Sequence, residues 1–287
     1  MSNPMNFREI KKEYFMSDAN ENTYLLLDHG GLPGLINQLS RCNAQWTSLL
    51  HSTAEQSALT AAPILVLASE EGRSLVTQRF VDWLVLNGAY TSTVIILSSP
   101  LELGCMRESL VARLDAKLSE DVDAMLRFFD PRILENLTKV LTVEQADYFF
   151  CPAARWRYVN RDGEIREIRS NFSSQERIAL PLILNQAQEI ALLEASEVDQ
   201  ILDLLRSNYP RITATLSLPM QHDLVKQKIS MARQDGLNSV LKIAIYIAIP
   251  LIEGEKFTEG SNWHCFLEKL RQENFDSSEL FTLDEEE

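Results

Sequence analysis

The chain has 287 residues, 45% hydrophobic and 24% charged, with ten Gly and ten Pro. That is enough for one large domain or two ordinary ones with a full core, and it excludes collagen-like, low-complexity and wholly disordered chains. Lys and Arg number 27 against 41 Asp and Glu, a net charge of −14, which argues against general nucleic-acid binding and against anionic lipid surfaces, since both need cations.

Residues Met1–Ile10 show no apolar core of the signal-peptide kind. A short apolar run, Tyr24–Asp28, predicts a first strand. It is followed by His29-Gly30-Gly31 and a helical stripe of Leu32, Leu35, Ile36 and Leu39. Pro63–Ala68 predicts a second strand. Val76, Phe80, Trp83 and Leu84 mark a helix face that Asn87-Gly88 should stop. Thr93–Leu97 predicts a third strand. Ser99 then reads as a helix cap, Pro100 as first helical residue and Glu102 as the capping-box partner, with Met106, Leu110, Leu114 and Leu118 continuing the apolar face. A fourth strand is expected over Ala124–Phe129, and Asp130-Pro131 should start another helix. Arg155–Val159 and Glu164–Ile168, joined by Asn160–Gly163, read as a hairpin.

Past Ser170 the character changes. Asn171–Gln175 reads as a linker, and helices alone are expected afterwards, over about 183–207, 219–233, 237–252 and 261–271. The longest apolar run, Ile243–Ile252, is too short to span a bilayer and reads as a buried helix. Residues 272–287 hold seven acidic groups and no Lys or Arg, half of the net charge, and read as a disordered acidic tail. The expected architecture is α/β: a largely parallel sheet with flanking helices over 1–170, an all-helical lobe over 176–271, and the tail. The protein is expected to be soluble and cytoplasmic.

The search for chemistry yields no catalytic residue, cofactor or metal site. His29–Gly34 lacks the spacing that brings a backbone against a dinucleotide, no Walker loop is present, and no G-x-S-x-G elbow accompanies His29-Gly30-Gly31. Cys42, Cys105, Cys151 and Cys265 are far apart and read as reduced, mostly buried thiols. Asp121-Val-Asp123 reads as a solvated loop rather than a metal pair. His51 and His222 are isolated, and His264-Cys265 are adjacent helical residues that point apart. Trp156 between Arg155 and Arg157 is read as a strand with one packed and one wet face rather than a cationic patch. One positional argument remains. In an open parallel sheet ligands bind beyond the strands' carboxyl ends, where Asp28-His29, Ser69–Glu71, Ser98-Ser99 and Asp130 would form a rim. Helix capping explains Ser99 and Asp130 without a ligand.

Tyr24–Asp28, the Ser98-Ser99-Pro100 cap and above all Arg127-Phe128-Phe129-Asp130-Pro131-Arg132, continued by Phe149-Phe150 and Trp156, resemble a bacterial family over residues 20–160. It is the family of type VI secretion adaptor proteins, or effector chaperones, long catalogued as a domain of unknown function. Ala232–Leu237, the apolar helix after it, Gly254 and Phe257 resemble the family's C-terminal pattern. The resemblance implies an adaptor rather than an enzyme. Such a protein binds a toxic effector in the producing cell and helps load it onto the valine-glycine-repeat spike protein, VgrG. The implied partners are thus effector and spike, with no nucleic acid and no membrane insertion. At the matching positions Asp28, Arg127, Asp130, Pro131 and Arg132, an Arg at a strand end can pair with Asp caps and orient the next helix. Two other readings stand beside it: a small-molecule or nucleotide-dependent enzyme using the strand-end crevice, and an immunity protein that blocks a toxin.

Overall fold

A computed structural model describes residues 21–272 apart from 54–57, 59–60, 89–91, 161–163 and 174–180. The N-terminal segment 1–20, part of the expected linker, the tip of the expected hairpin and the acidic tail from residue 273 lie outside the described residues. The chain divides into two compact units between Leu192 and Leu193, within a helix rather than at 171–175.

The first unit runs β1 (Asn22–Asp28), a 3-10 turn (His29–Gly31), α1 (Leu35–Cys42), β2 (Gln45–Ser48), β3 (Pro63–Glu70), β4 (Arg73–Ser74), α2 (Gln78–Gly88) and β5 (Val94–Ser99). It continues with α3 (Leu103–Val111), β6 (Asp115–Lys117), β7 (Asp123–Met125), α4 (Pro131–Val140), α5 (Val143–Phe150), β8 (Arg155–Val159), β9 (Ile165–Arg169) and β10 (Leu182–Ile183). Helix α6 (Gln186–Asn208) spans the division. The second unit adds α7 (Pro210–Thr213), α8 (Leu218–Gln234), α9 (Val240–Glu253), a 3-10 turn (Glu255–Glu259) and α10 (Ser261–Arg271).

The expected largely parallel sheet is overturned. The main sheet has seven strands in the order β2-β3-β1-β5-β8-β9, with β4 also on β3, and every pairing in it is antiparallel. A helical crossover fixes only that the strands it joins run the same way, and β1 with β2, and β3 with β5, do so. But β3 lies between β1 and β2, and β1 between β3 and β5, each reversed relative to its neighbours, as in split β-α-β units. The one parallel pairing among the described residues joins β10 to β6 in a small sheet, β10-β6-β7. Strand β10 is also an exception to the expectation of helices alone after residue 170.

Helices cover both faces of the main sheet, so its central strands are apolar on both sides, as parallel strands are. On one face Tyr24, Leu26, Leu65, Leu67, Ile95 and Leu97 pack with Met106 and Leu110 of α3, Leu134 and Leu137 of α4, and Phe149 and Phe150 of α5. On the other, Leu25, Leu27, Ile64, Val66, Val94 and Ile96 pack with Leu35 and Leu39 of α1 and with Phe80 and Leu84 of α2.

Three local expectations shift. Ser99 is the last residue of β5, not a helix cap. Its hydroxyl donates to the Pro152 carbonyl (2.6 Å) and accepts from the Leu101 N–H (3.2 Å), so it closes a turn before α3 begins behind Glu102. That helix ends at Val111, and the chain of Leu114 and Leu118 turns into β6. The expected strand 124–129 is only β7, because Phe128 and Phe129 are buried by aromatic packing rather than held in a ladder. At Asp130-Pro131 the helix starts as expected: Asp130 Oδ1 accepts the Arg132 N–H (2.9 Å) and Pro131 opens α4.

The second unit is held by Ile201, Leu205, Val225, Ile229, Trp263, Leu267 and the buried run Ile243–Pro250 of α9. Gly236, at φ +83°, ends α8 in a Schellman turn: its N–H reaches Arg233 O and that of Leu237 reaches Ala232 O. No helix among the described residues is long and apolar enough to cross a membrane. All four cysteines are free, but only Cys42 is buried; Cys151 is half-buried and Cys105 and Cys265 are exposed.

Candidate functional site

Asp28 closes β1, its N–H bonded to Thr93 O (2.9 Å). It then caps the following turn, Oδ1 accepting the Gly30 N–H at 3.0 Å. The turn passes so close to the sheet that a Cβ at Gly31 would lie 2.3 Å from Thr93 Cγ2. The second half of the site comes from the segment between β7 and α4. Phe128 is buried edge-on to Phe149 (ring centroids 5.5 Å) and Trp156 (6.2 Å). This anchor leaves Arg127 on the surface, with its Cζ 5.6 Å from the Phe129 ring centroid and Nη2 3.4 Å from Asp28 Oδ2. Asp130, the cap of α4, holds Arg132 in a fork: Nε at 3.0 Å from Oδ1 and Nη2 at 2.7 Å from Oδ2.

Residues 99 apart in sequence thus meet in one charged cluster. Burial pushes the Asp28 carboxyl above its ordinary value. Arg127 and the Gly30 N–H oppose this, Asp130 adds to it and Arg132 opposes it, all more weakly than burial acts. The two members of the ion pair differ sharply: the Asp28 side chain is 10% exposed and that of Arg127 59%. Both carboxylates are engaged in caps, so the group the cluster offers outward is a guanidinium, whose N–H fork binds carboxylates and carbonyls. Among the described residues no group of three or more His, Cys, Asp and Glu is placed to hold a metal. Asp121 pairs with Lys117 at 2.8 Å.

The expected strand-end rim does not form, because alternate strands reverse. Thr23 faces Ser69 on β3 and Ser98 on β5, whereas Asp28, at the other end of β1, faces Pro63. Seven residues of strand put about 20 Å between those ends. Only Asp28 and Asp130 come together; Ser69, Ser98, Ser99 and the exposed Pro100 lie at the far end. Trp156 is wholly buried, its Nε1 donating to Phe150 O (3.0 Å), and supports the site only through Phe128. The neighbouring face is not wet either, since Arg157 is buried and Arg155 half-buried.

Two features had no signal in the sequence. Arg113 is 6% exposed and seals the end of α5, donating to the carbonyls of Phe149 (2.6 Å), Tyr148 (2.9 Å) and Ser109 (2.6 Å), with Cys151 Sγ at 3.5 Å. At the far end of β1 the hydroxyls of Thr23, Ser69 and Ser98 are buried without a hydrogen-bond partner. Neither a lone Arg after a helix nor a strand hydroxyl is distinctive in a sequence; only burial in the fold identifies them.

No curated protein and no solved structure matches the chain. A family does. Residues 23–148, which run from β1 into α5 and contain Asp28, Ser99, Pro100 and Arg127–Arg132 but not Trp156, match the family described as Domain of unknown function (DUF4123).

Proposed function

We propose that this chain is a cytoplasmic adaptor of type VI secretion. It binds a toxic effector and helps load it onto the VgrG spike, without catalysing a reaction. The observation that carries the proposal is the Asp28–Arg127 pair. Four of the residues by which the chain resembles the adaptor family, Asp28, Arg127, Asp130 and Arg132, converge on one cluster, and its outermost member, Arg127, is 59% exposed and held by a single 3.4 Å ion pair and the Phe129 ring. A guanidinium so loosely engaged adds little to stability and is well suited to meet a partner's carboxylate or carbonyl groups. The domain match over 23–148 is consistent with this reading.

The test is a pull-down of the tagged full chain from the native cytosol, repeated with Arg127→Ala, and an export assay in cells lacking the protein. Wild type should retain an effector, Arg127→Ala should release it although the variant remains folded, and loss of the protein should stop effector export. Intact export with death of the producer would make it an immunity protein. A nucleotide or metabolite that raises its melting temperature would favour an enzyme.

A further inference from the structure

The two edges of the main sheet differ. At one, β9 carries Arg166, Glu167 and Arg169, charges of the kind that keep an edge from pairing with another chain. At the other, β2 reads Gln45-Trp46-Thr47-Ser48, with no charge and no proline. The register shows which of its backbone groups are available. Leu49 N–H bonds Pro63 O directly across from it (2.9 Å), and the pairing Gln45↔Leu67 to Ser48↔Ile64 runs on without a shift. Hydrogen-bonded pairs alternate along an antiparallel ladder, so Gln45 and Thr47 bond to β3, while Trp46 and Ser48 turn their N–H and C=O away from it. Arg107 agrees: its Nε reaches the outward Ser48 carbonyl at 3.1 Å and closes that end of the edge. The N–H and C=O of Trp46 point outward, and the residue is 38% exposed.

We propose that this edge is a docking strand, on which an extended segment of the effector adds to the sheet beside Trp46. The inference deepens the adaptor reading and rests on it. An outward N–H and C=O from one residue are matched by another strand's backbone, and the exposed indole offers that strand an apolar contact. The occupant is a different protein rather than a second copy, because copies that each carry −14 repel one another, whereas a basic or neutral segment is drawn in or meets no repulsion. Arg107 sets where the segment must stop.

The test uses the full chain and the effector retained in the pull-down. Binding should slow amide exchange at Trp46 about tenfold or more. Trp46→Pro, which removes an outward N–H and no bond to β3, should weaken the affinity about tenfold or more at an unchanged melting temperature. Should that variant fail to fold, Trp46→Lys keeps the backbone and guards the edge with a charge, and the same loss is expected. An effector that binds while Trp46 exchanges at its free rate, or that binds the variants like wild type, overturns strand docking and leaves the adaptor reading standing. Wild type that retains no effector overturns both. A dimer of the chain alone that Trp46→Pro dissolves would give the edge to a second copy and overturn the proposal.

Discussion

Burial holds the Asp28 carboxyl above its ordinary 3.8 even with Arg127 beside it, so the folded chain binds that proton more tightly than the unfolded chain does. The stability linked to this group is therefore complete below about pH 3.8 and is lost as pH rises through the raised value. At neutral pH the ionised carboxylate opposes folding. Asn keeps the acceptor for Gly30 and removes the charge. Asp28→Asn should be at least as stable as wild type in urea at pH 7, with the difference closing toward pH 4. Asp28→Ala also loses the cap and should fall about 0.5–2 kcal/mol below wild type. Arg113 is the opposite case, a buried charge held by carbonyls, the Ser109 hydroxyl and a thiol. Arg113→Met would leave carbonyls at the end of α5 unpaired and should lose about 3 kcal/mol in the same experiment. Loss of less than about 1 kcal/mol would mean that water replaces the guanidinium there.

Strands β1, β3 and β5 were legible as elements, since their apolar runs are long and bounded by polar residues. Their pairing was not, because a strand buried on both faces reads the same whichever way its neighbours run. The polar edge strand β2 and the two- and three-residue strands β4, β6, β7 and β10 carry too few residues for any period. Ser99-Pro100 shows the limit of local motifs: the spacing fits a capping box, yet the hydroxyl is taken by Pro152, 53 residues on. The site was half legible. Asp130-Pro131-Arg132 is a local cap, but nothing in the spacing places Arg127 against Asp28. Within β1 the unpartnered Thr23 hydroxyl sets a further expectation. Thr23→Val keeps the branched shape and removes a buried, unsatisfied group, so the thermal midpoint should rise, by the equivalent of about 1 kcal/mol. A lower midpoint would reveal a partner for that hydroxyl.

At the scale of the molecule a charge of −14 works against compactness. Raising ionic strength from about 0.01 to about 0.1 M shortens the screening length from about 30 to about 10 Å. The midpoint of unfolding should rise over that range, and it should stay flat if the acidic residues are already neutralised by neighbours. The order of strands has a consequence in time. β1 is central, yet both strands that flank it follow it in the chain, and the later, β5, ends at Ser99. Ser99 is the 71st residue after Asp28, about 4–14 s of synthesis at about 5–20 residues per second. For that interval a strongly apolar segment waits outside the ribosome without its second neighbour, so a nascent chain halted before Val94 should be the species that chaperones hold and proteases cut.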